Sequence, residues 1–374
     1  MRRGRLLWAL CLAAAASGSN CTYILGLEGV NEEDYTAGAG GTGTAAGGNG
    51  PGSGGGGGCT QMCGGCVNIA TDANHCGGCN RDCDEGGCAG GECQPAVLPT
   101  GQGATSLISD SGNVYWVNAD GAVKSLSPDE GSEAMMKFTF PSGFVPKELA
   151  VKGGTFGAIS DDDVIVTLDG NDFKYPRGTV TTAPDSVALH ENAIFWTELS
   201  PNLLYKGTFD GMDPNTLFGT QPNPRDVALD GTDLYWLADN KLWVVDINGD
   251  MPDELYPLTD ATQIAVRDGR VCATINLGLA ISCADLNTGM GANFYADDAT
   301  IGALVVADGH VYWAESTGRV VRGNIADEMS KVLAEELAPP VSIAVLVDNE
   351  DPKKHRVFWA DNGGSMYKLV TWVE

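Results

Sequence analysis

Short apolar runs recur from residue 114 onward at a near-constant interval, and seven of them close on the same kind of triplet. They read Val114-Tyr115-Trp116, Phe156-Gly157-Ala158, Ile194-Phe195-Trp196, Leu234-Tyr235-Trp236, Val271-Cys272-Ala273, Val311-Tyr312-Trp313 and Val357-Phe358-Trp359. Their third positions lie 42, 38, 40, 37, 40 and 46 residues apart. A period in this range marks a repeat architecture whose units bury their apolar faces against one another. The fourth copy shows the plan best: strands at 225–231, 233–237, 241–246 and 254–258, divided by Gly and Asp turns. No helical periodicity interrupts the series.

Four short strands with regular turns describe one blade of a β-propeller. In the first strand of each copy Ile108, Ala150, Ala188, Ala228, Ala265, Val305 and Ala344 share one position. Small side chains there suit strands crowded around an axis, and the preceding Leu107, Leu149, Val187, Val227, Ile264, Leu304 and Ile343 suit packing between blades. The last copy has only three strands before the chain stops, whereas Ala96-Val97-Leu98-Pro99-Thr100 resembles a fourth strand placed ahead of the first copy. Pairing the two ends closes the ring and hides its sheet edges. The expected fold is all-β, a seven-bladed propeller over 94–374 whose N-terminal strand completes the last blade.

Tyr115-Trp116-Val117-Asn118, Phe195-Trp196-Thr197-Glu198, Tyr312-Trp313-Ala314-Glu315 and Phe358-Trp359-Ala360-Asp361 resemble the YWTD repeat of low-density-lipoprotein-receptor propellers. Tyr235-Trp236-Leu237-Ala238 keeps the aromatics alone, and the second and fifth copies lose both. That family usually has six blades, so the likeness is to the repeat. The rings themselves read as packing between blades rather than as a sugar platform.

The N-terminus changes the picture of where such a ring works. Arg2, Arg3 and Arg5 precede an apolar stretch from Leu6 to Ala16, too short to span a bilayer, with a small-residue cleavage site at Ala14-Ala15-Ala16. Residues 1–20 are therefore expected to be a signal peptide. Cys21 follows, in a segment resembling the start of bacterial surface lipoproteins, although Gly18 and Asn20 depart from the usual lipobox. Lipidation at Cys21 and simple cleavage near Ala16 both stay open. Residues 21–58 form an N-terminal tether, Gly-rich from 36, whose low-complexity part would span roughly 25 Å as a coil. The expected location is exported, as an outer-envelope lipoprotein or an extracellular protein, with membrane contact only through a lipid on Cys21.

Residues 59–93 carry Cys59, Cys63, Cys66, Cys76, Cys79, Cys83, Cys88 and Cys93. So short a segment needs covalent or metal staples to fold. Behind a signal peptide an even set reads as four disulfides of undetermined connectivity. A zinc site at Cys63-x-x-Cys66 and Cys76-x-x-Cys79 with His75 is the rival reading. The stretch from Cys66 to Cys79 resembles a cysteine-rich module of secreted myxobacterial proteins, which implies a small, stiff spacer ahead of the propeller. Cys272 and Cys283 fall on adjacent strands of the fifth copy, where a cross-strand disulfide is expected to make up for the tryptophan missing at Ala273.

Candidate chemistry is thin. Acidic residues number 49 against 22 basic, for a net charge of −27, which excludes nucleic acid or an anionic membrane surface as partner. No Gly-x-Ser-x-Gly elbow, His-Glu-x-x-His helix or phosphate loop occurs. His75, His190, His310 and His355 fall at unrelated places and are expected in surface turns. No cofactor or metal site is expected apart from calcium, for which Asp246-x-Asn248-x-Asp250 and Asp161-Asp162-Asp163 have the donor spacing; Asx turns explain both without an ion. The channel mouth draws Ser106, Glu148, Ser186, Asp226, Gln263, Ala303 and Ser342 from the start of each inner strand, with Asp185 and Arg225 beside them. The expected function is a monomeric, non-catalytic binding or scaffolding propeller. It would meet a protein or glycan at the cell surface through Glu148, Asp185, Ser186, Arg225, Asp226 and Gln263. The alternative is a metal-dependent hydrolase or lyase, lactonase-like, using Glu148, Asp185 and Asp226.

Overall fold

The computed structural model describes residues 60–98, 103–127, 133–168, 171–176, 183–200, 202–209, 215–220, 222–249, 251–296, 299–335 and 337–373. The expected signal peptide, Cys21, the Gly-rich tether, Cys59 and Asp250 lie outside them. Strands dominate, and the only helix among the described residues is one 3-10 turn, Asn276–Gly278. No described helix is long and apolar enough to cross a membrane.

Seven four-stranded antiparallel sheets follow one another along the chain. In blade four the strands are Val227–Asp230, Asp233–Ala238, Lys241–Asp246 and Asp253–Pro257, in sequence order from the axis outward. Blade seven is composite. Pro340–Val347, Lys354–Asp361 and Met366–Trp372 are joined by Ala96–Leu98, with Met366 opposite Leu98 and Lys368 opposite Ala96. This is the ring closure read from the two chain ends.

Alternation along a strand explains the aromatic pair. Successive side chains leave opposite faces of a blade, so one ring turns to the following blade and the other to the preceding one. Tyr235 packs with Ile264 and Val271 of blade five, and Trp236 with Ala188 and Phe195 of blade three. The seven apolar clusters of the ring each join two consecutive blades. Trp116, Trp196, Trp236, Trp313 and Trp359 are at most 2% exposed. Truncating such a buried ring costs about 3–5 kcal/mol, so these side chains decide the stability of the toroid. In blades three, four and seven a second ring stacks on the tryptophan from the strand beside it: Tyr205, Trp243 and Tyr367, with centroids 5.1, 6.2 and 5.4 Å away.

Cys272 and Cys283 stand directly opposite and are bonded, with Cα atoms 4.0 Å apart. The expected compensation for the missing tryptophan is corrected by the same alternation. The disulfide faces blade six, whereas Ala273 faces blade four. Cys272 takes the place of the first ring of the pair, not the second.

The cysteine module is oxidised throughout its described length. Cys63–Cys79, Cys76–Cys88 and Cys83–Cys93 are paired, and Cys66 is also in a disulfide. The four thiolates of the zinc reading are thereby consumed, and the close approach of Cys76, Cys83 and Cys93 is two disulfides packed together. Bonds of this kind belong to an oxidising compartment.

The module does not stand apart from the ring. Buried Cys76, Cys83 and Cys93 join the cluster that contains Leu369 and Val370 of blade seven. Ala96–Leu98 pairs with only the first half of Met366–Trp372, and Glu92–Cys93 of the module lies against that same strand. Asp84 pins the contact through Lys354 at 2.9 Å, Arg356 at 2.9 Å and Lys368 at 3.2 Å. Glu85 also meets Lys368, and Glu92 meets Lys331 of blade six. Burial pushes the Asp84 carboxyl up, but Lys354, Lys368 and Arg356 outweigh it and hold it at about 2. A carboxylate so surrounded stays charged at any pH the fold meets.

Candidate functional site

The inner strands enclose a channel of about 890 Å³. All seven residues expected at its mouth line it, together with Lys147, Asp185 and Arg225. A break in register at Ala104/Ser106, Pro184/Val187, Ile301/Ala303 and Pro340/Ser342 accompanies Ser106, Ser186, Ala303 and Ser342, whereas Glu148 opens a regularly paired strand.

They form a collar. Ser342 accepts the Leu107 amide at 2.8 Å, and Ser106 the Leu149 amide at 3.2 Å. Glu148 accepts from the Val187 amide, Ser186 from Val227 at 3.3 Å, and Asp226 from Ile264 at 2.7 Å. In each case the side chain of one blade takes the N–H of the first large apolar residue of the next. Gln263 inverts the pattern, donating to the Gly302 carbonyl at 3.0 Å. Ala303 has no polar group to offer.

Three of the six candidate residues meet directly. Ser186 Oγ lies 3.2 Å from Glu148 Oε1 and 2.5 Å from Asp226 Oδ1. Burial raises the Glu148 pKa well above the carboxylate range and the Asp226 charge raises it further, against bonds from Val187 and Ser186. Burial likewise pushes Asp226 up to about 6, although Ser186, Ile264 and Val227 all donate to it. Asp185 and Arg225 differ from these three, because both are exposed at the mouth. Partial enclosure lifts the Asp185 pKa while Arg225 and Lys147 pull it down. The mouth therefore has an inner layer fixed by bonds between blades and an outer layer of free charges.

The calcium-spaced segments behave as turns where they are described. Asp246 accepts the Asn248 amide at 2.8 Å and the Thr232 hydroxyl at 3.2 Å. Asp161 pairs with Lys147.

The histidines correct the expectation of surface turns. His355 is fully buried and His310 is 8% exposed, and their rings meet edge to face at 5.7 Å. His355 Nε2 donates to the Pro352 carbonyl at 3.0 Å, so its Nδ1 accepts the Tyr312 hydroxyl. Arg322 bonds the same Tyr312, the Thr371 hydroxyl at 3.2 Å and the Trp372 carbonyl at 3.0 Å. Burial, then the His310 charge, lowers the His355 pKa to about 4. Burial also lowers that of His310. Strand parity was the signal that could have found this network. His310, Tyr312 and Arg322 leave the face of blade six that meets blade seven, and His355 and Thr371 leave the answering face.

No protein-family model matches the sequence. No curated protein matches it either. Solved structures do, at low identity. The propeller domain of Cps50 (Swd1) from Myceliophteria thermophila shares 10% identity at a TM-score of 0.58, over 75% of this chain and 100% of that one. The WD40 propeller domain of Doa1 shares 12% at 0.56, over 75% and 96%. YCF48 from Cyanidioschyzon merolae shares 14% at 0.54, over 74% and 98%. At such identities the likeness is one of fold, and the chain is a seven-bladed β-propeller preceded by a disulfide-bonded module.

Proposed function

We propose that the protein is an exported, envelope-tethered propeller of YWTD-like repeats that binds a surface protein or glycan without turning it over. The observation that carries this reading is the division of the channel mouth. Ser106, Glu148, Ser186, Asp226, Gln263 and Ser342 hold blades together, while Asp185 and Arg225 present charge to whatever approaches. A rim of both signs on a rigid collar suits recognition. A structural neighbour that is part of the mitotic checkpoint complex supports a protein partner. The rival hydrolase or lyase reading needs Glu148 and Asp226 free to hold a metal, and both are already bonded to Ser186 and to backbone amides.

The test is a pull-down from cell-envelope extract with residues 60–374, comparing wild type, Asp185→Ala and Arg225→Ala. Partner capture weakened by either change supports the reading. Stoichiometric metal by mass spectrometry, with lactone or ester turnover lost in Asp226→Ala, would overturn it.

A further inference from the structure

A second cavity, of about 540 Å³, opens between the cysteine module and blades six and seven, remote from the channel in the residues that line it. Its walls include Arg81, His310, Arg322 and Lys331, and also the carboxylates of Glu92 and Asp327. Nearby cations are neutralised: Lys354, Arg356 and Lys368 by Asp84, and Lys331 by Glu92. Arg81 and Arg322 have no carboxylate partner among the described residues. In a chain with 49 acidic and 22 basic side chains, leaving two guanidiniums unpaired in one cavity is the exception.

Both guanidiniums touch Trp372. Arg322 donates to its carbonyl at 3.0 Å, and the Arg81 guanidinium lies 5.8 Å from its ring centroid. Arg322 is fixed by Thr371 and Tyr312 as well, so part of its donor fork is held in place before any ligand arrives. His310 supplies the complementary group. Its Nδ1 donates to the Asp308 carbonyl at 2.8 Å, which leaves Nε2 an acceptor. That Nε2 has no hydrogen-bond partner among the described residues, although the side chain is more than nine-tenths buried and lines the cavity. That nitrogen opens into the cavity, where it can accept a hydrogen bond from an incoming hydroxyl.

We propose that this cavity binds an acidic sugar, the oxyanion on Arg81 and Arg322 and a hydroxyl on His310. Planar guanidiniums recognise carboxylate and phosphate oxygens in pairs of charge-assisted bonds. A neutral sugar lacks the oxyanion, and a bare anion lacks the hydroxyl that His310 accepts. The inference is independent of the channel reading, since it shares no residue with the mouth.

Isothermal titration of residues 60–374 with glucuronate, glucose 6-phosphate, inorganic phosphate and glucose separates the outcomes. The expected result is saturable binding of glucuronate or glucose 6-phosphate, with phosphate weaker and glucose silent; which acidic sugar binds identifies the carboxylate or phosphoryl source. Arg81→Gln, at a side chain with no bond that the fold needs, should weaken binding roughly tenfold or more. Arg322→Gln should abolish it, and Arg225→Gln at the channel mouth should change nothing. Failure of both acidic sugars to bind, equal binding of glucose, or affinity unchanged in Arg81→Gln overturns the proposal. Loss of the envelope partner in Arg225→Gln with sugar binding intact would show the two sites to be separate.

Discussion

Replacing Glu148 with glutamine probes the collar where its electrostatics are most constrained. Ser186 has one hydroxyl proton and two carboxyl neighbours, at 3.2 and 2.5 Å. Asp226 also accepts the Val227 and Ile264 amides at 2.9 and 2.7 Å, so it is the better stabilised anion. Glu148 therefore keeps its proton, and the Ser186 hydroxyl serves Asp226, its shorter contact. A folded pKa above the unfolded value means that the native state binds more protons, so stability is fully present below about 4 and declines as pH rises. While Glu148 stays protonated above its ordinary 4.5, each pH unit costs the fold about 1.4 kcal/mol.

Glutamine keeps the shape and removes the titration. Glu148→Gln should be neutral near pH 4.5 and increasingly stabilising above it, by up to about 1.4 kcal/mol for each pH unit over which the native carboxyl holds its proton. In thermal unfolding by circular dichroism each kcal/mol raises the melting temperature by roughly 2 °C. Asp226→Asn should do the reverse, because its amide nitrogen would face an N–H donor, at a cost of about 1–3 kcal/mol. A lower melting temperature for Glu148→Gln at pH 7, a shift independent of pH, or equal behaviour of the two variants refutes the proton assignment.

Three further outcomes follow from contacts elsewhere. Asp84→Asn removes the buried anion among Lys354, Arg356 and Lys368 and should cost about 3 kcal/mol; limited proteolysis should then cut the module before the blades, and an unchanged cleavage pattern would count against docking through Asp84. His355 titrates near 4 in the fold against 6.5 unfolded, so its contribution is present above 6.5 and falls by about 3 kcal/mol as pH drops to 4. His355→Asn should flatten the melting curve's pH slope in that window, and an unaltered slope argues against a buried neutral imidazole. Gly157→Tyr restores the repeat's aromatic yet should destabilise by about 1–3 kcal/mol, since even a Cβ there lies 2.9 Å from Ile194 Cδ1; a higher melting temperature would show that the interface has room.

What the sequence revealed depends on how local the physics is. The triplets around Trp116 to Trp359 were legible because a strand's two-residue alternation and a ring of identical neighbours both act at short range. Pairing of Ala96–Leu98 with Met366–Lys368 followed from counting strands. The mouth residues line the channel as expected, but their bonds to amides of the next blade depend on how neighbouring blades are offset, which no residue type announces. His310 and His355 looked unrelated because they sit three and four positions before their tryptophans. Opposite parity on facing strands is what brings them together. The module's seat on blade seven was hidden behind its cysteine connectivity, which alone decides where Asp84 projects.

These departures from symmetry converge on one joint. From blade seven through blade four, successive collar side chains accept an amide from the next blade, but Gln263 of blade five donates to a carbonyl instead and Ala303 of blade six contributes nothing. Blade six is thus linked to blade seven without a collar side chain of its own. That interface holds the Tyr312–His355 bond, the reach of Arg322 to Thr371 and Trp372, and the contact of His355 with Asp308. The module straddles the same joint, with Glu92 on Lys331 of blade six and Asp84 on three cations of blade seven. Bracing from outside stands where bonding around the channel is missing. Ala303→Ser should therefore restore an acceptor for the Ile343 amide and make the ring less sensitive to loss of Asp84, so a double variant with Asp84→Asn that melts at the sum of the two single shifts would separate the collar from the brace.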